Sequence, residues 1–103
     1  MSQFNDVSVV KEANVFFDGQ CISHTILTAD GSRKSLGVIL PGTLVFNTGA
    51  PERMELLKGE CRVRLQGDES WQNYSGGESF NVEGESRFEI EVFSIIHYVC
   101  HFG

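Results

Sequence analysis

A chain of 103 residues is long enough for one domain with its own core and too short for two. Its 8 basic and 14 acidic residues give a net charge of −6, so it lacks the basic face that binding to a nucleic-acid backbone requires. An apolar fraction of 41% excludes a disordered tail.

No apolar run approaches the roughly 20 residues of a membrane-spanning helix. Cys21, Cys61 and Cys100 are an odd set at wide spacing without a Cys-x-x-Cys pair. That pattern fits neither a disulfide framework nor a zinc site, and reads as three small buried hydrophobes in a reducing compartment. The opening MSQFNDVSVVKEANVFF has no charged-then-apolar signal pattern. The expectation is a cytoplasmic protein with neither a membrane nor a nucleic-acid partner. Dimerisation would let so small a core bury more surface.

Along the chain, residues 1–13 read as an N-terminal segment of poor order and residues 14–103 as the domain. Val7–Phe17 is the one candidate for a helix, and its β-branched and aromatic content argues against one. From there, short apolar stretches alternate with turn signals at intervals of roughly eight to twelve residues, the rhythm of an all-β fold. Strands are expected at Cys21–Leu27, Lys34–Ile39, Gly42–Asn47, Glu52–Lys58, Glu60–Leu65, Glu78–Val82, Arg87–Val92 and Ile95–Phe102. Between them lie Asp30-Gly31, Pro41-Gly42, Gly49-Ala50-Pro51, Gly67-Asp68, Gly76-Gly77 and Glu83-Gly84. Phe88, Ile90 and Val92 share one face and Arg87, Glu89 and Glu91 the other; Tyr98, Cys100 and Phe102 likewise alternate with His97, Val99 and His101. Such a sheet keeps one face in a core and one in water.

The segment Pro41–Gly59 resembles the first motif of the cupins, a family of small β-barrels of jelly-roll (double-stranded β-helix) form. That motif sets two histidines two apart, then a glutamate and a glycine. Glu52 and Gly59 fit the last two, which places the histidine positions at Phe46 and Thr48. The second motif, begun at Gly77, puts its proline at Glu83 and its histidine at Phe88. Phenylalanine cannot bind a metal and threonine is a poor ligand, so no metal site is expected. His24, His97 and His101 offer no i,i+2 pair to replace the missing ligands.

A narrower resemblance covers Asn14 to Phe102. The stretch GECRVRLQGDESWQNYSGGESFNVEGESRFEIEVFSIIHYVCHF is similar to the small single-domain pyrimidine/purine nucleoside phosphorylases. Trp71-x-x-Tyr74-x-x-Gly77-x-x-Phe80-Asn81-Val82 and the closing Tyr98-x-Cys100-x-Phe102 carry it most strongly. NVFFDGQCIS, Ser35-Leu36-Gly37-Val38, Pro41-Gly42, Phe46-x-Thr48 and Pro51-Glu52-x-Met54 match upstream. Glu83 departs from the family's usual proline. The resemblance implies phosphorolysis of purine and pyrimidine nucleosides, with inorganic phosphate as co-substrate, no other cofactor, and free base and ribose 1-phosphate as products. A homodimer is expected.

Phosphorolysis develops positive charge on the sugar, as glycoside cleavage does. Glu52 is the first candidate for catalysis: its carboxylate can accept from a ribose hydroxyl and favour the cationic transition state. It would project into a barrel lined by Phe46, Thr48, Met54, Phe80 and Phe88. The competing reading of Glu52 is a strand-edge glutamate paired with Arg53 or Arg64. For phosphate, an arginine fork is favoured, and the candidates are Arg33, Arg53, Arg62 and Arg64. Arg62 and Arg64 share the face opposite Val63 and Leu65 and should point to solvent, which leaves Arg33, at a barrel rim, as the better candidate.

Thr48 and Tyr98 can offer hydroxyls to substrate, Tyr98 a stacking face too, with Met54, Phe46 and Phe88 forming the rest of the substrate pocket. Trp71 and Tyr74 read as loop residues for packing or dimer contact, and His101 as outward-facing. A non-catalytic cupin that binds a nucleoside or sugar is the alternative function; a metal-dependent cupin is a third.

Overall fold

The computed structural model describes residues 2–102. Nine strands follow in order: β1 (Ser8–Val9), β2 (Asn14–Phe16), β3 (Cys21–Leu27), β4 (Arg33–Ile39), β5 (Gly42–Asn47), β6 (Glu52–Leu65), β7 (Gln72–Ser75), β8 (Ser79–Val82) and β9 (Arg87–Phe102). A 3-10 turn at Phe17–Gly19 joins β2 to β3. Among the described residues no helix is long and apolar enough to cross a membrane.

Two long antiparallel strands organise the domain. β6 and β9 pair from Glu52↔Phe102 to Leu65↔Phe88, and each takes a different neighbour in each half. Beyond the first half of β6 lies β8, and beyond its second half lies β7. β9 pairs with β5 through its first half and with β4 through its second. One sheet therefore reads β3-β4-β9-β6-β8, with β1 and β2 on the outer edge of β3, and the other reads β5-β9-β6-β7. This is the jelly-roll form of a cupin, although the ladder of paired strands does not close on itself.

The alternation of β9 drives this arrangement. Phe88, Ile90, Val92, Ile96, Tyr98 and Cys100 are all buried, one residue in two, so a single strand presents an apolar face to both sheets. β6 changes phase between its halves: Met54 and Leu56 point inward first, Cys61 and Val63 after. The change falls where the β6–β9 register shifts between Leu56 and Cys61, an irregularity that bends the ribbon from one sheet into the other. Gly59 sits in this bend at φ 104°, and a Cβ there would lie 2.3 Å from the Ile95 carbonyl oxygen. Only glycine meets both demands.

Several expected boundaries change. Glu52–Lys58 and Glu60–Leu65 are one strand, as are Arg87–Val92 and Ile95–Phe102, because a bend without a turn carries each chain onward. β8 starts at Ser79 and β4 at Arg33. β7 was not expected, since QNYS is too polar to signal a strand; its Tyr74, read as a loop residue, pairs with Cys61 and packs on Phe80 at 5.0 Å. Trp71 lies beneath two guanidinium groups, Arg62 at 4.4 Å and Arg64 at 4.8 Å from the ring centroid. Those arginines also pair with Glu91 at 2.6 Å and Glu89 at 2.7 Å on the solvent face. Ahead of the domain, Ser8–Val9 pairs with Ile26 and Leu27.

Candidate active site

The inner faces of β3, β4, β6 and β9, with β5 and the end of β2, enclose a cavity of about 160 Å3. Its walls divide by chemistry. Phe16, Phe46, Phe88 and Phe102 are aromatic, Ile39 and Met54 aliphatic. The polar groups are Ser23, Ser35, Asn47, Glu52, Tyr98 and Cys100.

Glu52 begins β6, held between Phe102 of β9 and Val82 of β8 by backbone pairing. Its carboxylate accepts a hydrogen bond from the Cys100 thiol at 3.4 Å. Burial pushes the Glu52 pKa above the usual carboxylate range, opposed by the Cys100 hydrogen bond and the positive charge of Arg33. The pairing with Arg53 or Arg64 that the competing reading requires does not form: Arg53 is exposed and Arg64 is bound to Glu89. Glu52 is thus a half-buried acid facing a cavity, with no ion pair to a basic side chain among the described residues.

Arg33 opens β4, and its guanidinium lies 4.5 Å from the centroid of the Phe102 ring. A cavity-wall residue is thereby covered by a cation whose charge reaches Glu52. Tyr98 is buried, with its hydroxyl 3.4 Å from the Cys21 sulfur. Burial, then Cys21, raise the Tyr98 pKa far above the usual phenol value, so it remains a neutral donor. Cys100 stays a thiol for similar reasons, burial first and the neighbouring Glu52 charge second.

Phe46 and Phe88 are cross-strand partners with stacked rings, 5.4 Å apart and inclined by 21°. Together with Met54 they line the cavity, as expected. Thr48 does not join them. Its hydroxyl donates to the Glu83 carbonyl at 2.6 Å and accepts from the Ser86 amide at 2.9 Å. The strand ends at Asn47, so the alternation that would have carried Thr48 to the Phe46 face is broken, and it clamps the turn before β9. Phe80 packs behind Phe88 at 5.7 Å and is not part of the cavity wall.

His101 faces outward, 2.9 Å from Glu55 and 3.0 Å from Lys34. Of the positions that hold cupin histidines, Phe46 and Phe88 do face the cavity, with Glu52 beside them; their rings carry no donor atom. Among the described residues no three His, Cys, Asp or Glu side chains come together as a metal-holding group. The donor set does not fit a metal ion.

Sequence reasoning missed Cys100, Ser23, Ser35, Asn47, Phe16 and Phe102 as wall residues. Part of the signal was present: Cys100 and Phe102 share the Tyr98 face of β9. In β3, Ser23 follows Cys21 on the inward face, and a polar residue on such a face signals a cavity rather than a packed core.

Fold and cavity define a single-domain cupin in which phenylalanine holds two of the three usual metal-binding histidine positions and threonine the third. Ectoine synthase from P. lautus has this architecture at a TM-score of 0.68 and 20% identity, over 82% of this chain and 64% of that one. A crystal structure of a protein of unknown function from Acinetobacter sp. ADP1 matches at a TM-score of 0.95 and 48% identity, over 98% of both chains. A pyrimidine/purine nucleoside phosphorylase of Methylococcus capsulatus is 62% identical across the full length of both chains. The family model described as pyrimidine/purine nucleoside phosphorylase matches residues 11–102. The chain belongs to the pyrimidine/purine nucleoside phosphorylase family.

Proposed function

We propose that this protein cleaves purine and pyrimidine nucleosides with inorganic phosphate. A phosphate oxygen bonds to the ribose anomeric carbon as the bond from that carbon to the base nitrogen breaks, giving ribose 1-phosphate and the free base. The observation that carries the reading is Glu52, a half-buried carboxylate with no direct ion pair among the described residues, in a cavity walled largely by aromatic rings. A carboxylate in such surroundings favours an oxocarbenium-like sugar, because apolar walls screen its field less than bulk water does. The reaction draws on no cofactor beyond phosphate.

Phe46 and Phe88 contribute aromatic surface to the cavity wall, and contact with such surface is tolerant of base identity. That suits a site accepting both purines and pyrimidines. The Tyr98 hydroxyl and Glu52 address the ribose, and Arg33 the phosphate. Replacing Arg33 with Ala is expected to raise the phosphate KM by roughly 10- to 100-fold, the weight of one or two charge-assisted hydrogen bonds. Phosphate titrations at saturating nucleoside read this directly, and an unchanged KM assigns the anion to another group.

The three free, buried cysteines suit a reducing cytoplasm. Val15, Ile22, Leu36 and Ile95 are exposed apolar side chains that suit a homodimer. The deciding experiment incubates chelator-treated protein with a panel of nucleosides, with and without phosphate, and quantifies free base. Phosphate-dependent release from both base classes is the expected result. Binding without release would instead make the protein a nucleoside-binding cupin.

A further inference from the structure

The hairpin of β2 and β3 turns through a backbone that side chains rarely adopt. Phe17 has φ 51° and Asp18 φ 55°, both in the left-handed region, where a Cβ crowds the following carbonyl oxygen. Gly19 follows at φ 95°, but the first two positions carry side chains, one of them bulky. The 3-10 turn has no side-chain cap at its start to favour this conformation. Its far end is tied down: the Gln20 side-chain amide donates to the Pro41 carbonyl at 2.9 Å, and the Leu40 amide donates to the Gln20 carbonyl at 2.8 Å.

Phe16 and Phe17 are 45% and 46% exposed, a large apolar surface to leave in water. Both rings nevertheless stand edge-on to Phe46, Phe17 at 5.3 Å and 86°, Phe16 at 6.5 Å and 73°. Phe46 is itself stacked on Phe88 in the cavity wall, and Phe16 lines the cavity. Backbone strain beside a cavity, together with half-exposed rings aimed at its aromatic wall, marks a surface shaped for a ligand rather than for the hairpin's own stability.

We propose that residues 16–18 form an aromatic flap at the rim of the nucleoside site, with Phe17 exchanging its present edge-on contact with Phe46 for contact with the heteroaromatic ring of a bound nucleoside. The inference rests on the nucleoside reading proposed above. It identifies Phe17 as a residue that sets affinity for the base. Because the flap offers π surface alone, its grip grows with ring area and favours purines over pyrimidines without reading any base edge. Closure also keeps water from the anomeric carbon while phosphate attacks.

Phe17→Gly removes the ring and relieves the left-handed strain together, and Phe17→Tyr keeps the ring. With both variants assayed where they are folded, Phe17→Gly should raise KM for a purine nucleoside at least ~10-fold, within the range a lost base–aromatic stack gives. The rise should be smaller for a pyrimidine nucleoside, and Phe17→Tyr should keep the wild-type KM. An unchanged KM in Phe17→Gly, or an equal rise in Phe17→Tyr, overturns the flap while leaving the phosphorylase reading intact. A wild-type protein that neither binds nor cleaves any nucleoside overturns both.

Discussion

Replacing Glu52 with Gln is expected to lower phosphorolysis at least ~10²-fold while leaving the fold in place, by the scale of lost electrostatic stabilisation at preorganised sites. The amide keeps the shape and can still meet the Cys100 thiol, so the change isolates the charge. Burial raises the Glu52 pKa above its unfolded value. The stability tied to this group is therefore full below the ordinary carboxylate range and is lost as pH rises through the raised folded value. A glutamine does not titrate, so at neutral pH the variant should melt at or above the wild-type temperature. Activity should move the other way: if the carboxylate must be ionised, turnover falls on the acid side at a pH above that of an ordinary glutamate. Turnover near wild type in Glu52→Gln would remove the residue from the mechanism.

Gly59→Ala is expected to destabilise the fold strongly. The substitution asks a side chain to adopt φ 104° and sets its Cβ 2.3 Å from the Ile95 carbonyl oxygen, a backbone atom that cannot swing aside. A left-handed alanine costs roughly 1–2 kcal/mol, and overpacking adds about 1–3 kcal/mol. A total loss of about 2–5 kcal/mol should appear as a lower urea midpoint, and a loss below about 1 kcal/mol would show that the bend yields. Gly67, also at positive φ but with nothing near its Cβ direction, should tolerate alanine better.

The architecture was legible because alternation on β9 and the turn signals are local patterns that the pleat obeys directly. So was the cavity trio Phe46, Glu52 and Phe88, since strand positions fix which face each side chain takes. Thr48 was misplaced because alternation holds only inside a strand, and β5 ends one residue before it. The unity of β6 was hidden because Gly59 signals a turn and a bulge alike, and only the partner strand decides between them. Glu52's isolation from Arg64 depended on cross-strand register: Arg64 faces Glu89, a pairing set by residues far away in sequence.

The β6–β9 ribbon has a consequence for how the site comes into being. Its ladder joins Glu52 to Phe102, so the carboxylate's wall requires closing a loop of some fifty residues. Pairings of such long sequence separation place a domain among the slow folders, with the ordering cost met before the contacts that repay it. The same two strands run unbroken through both sheets, which couples the opening of one sheet to the opening of the other. Amide exchange along β6 and β9 should then report one shared global opening rather than two local ones. The cavity beside Glu52 would appear, and vanish, only together with the whole domain.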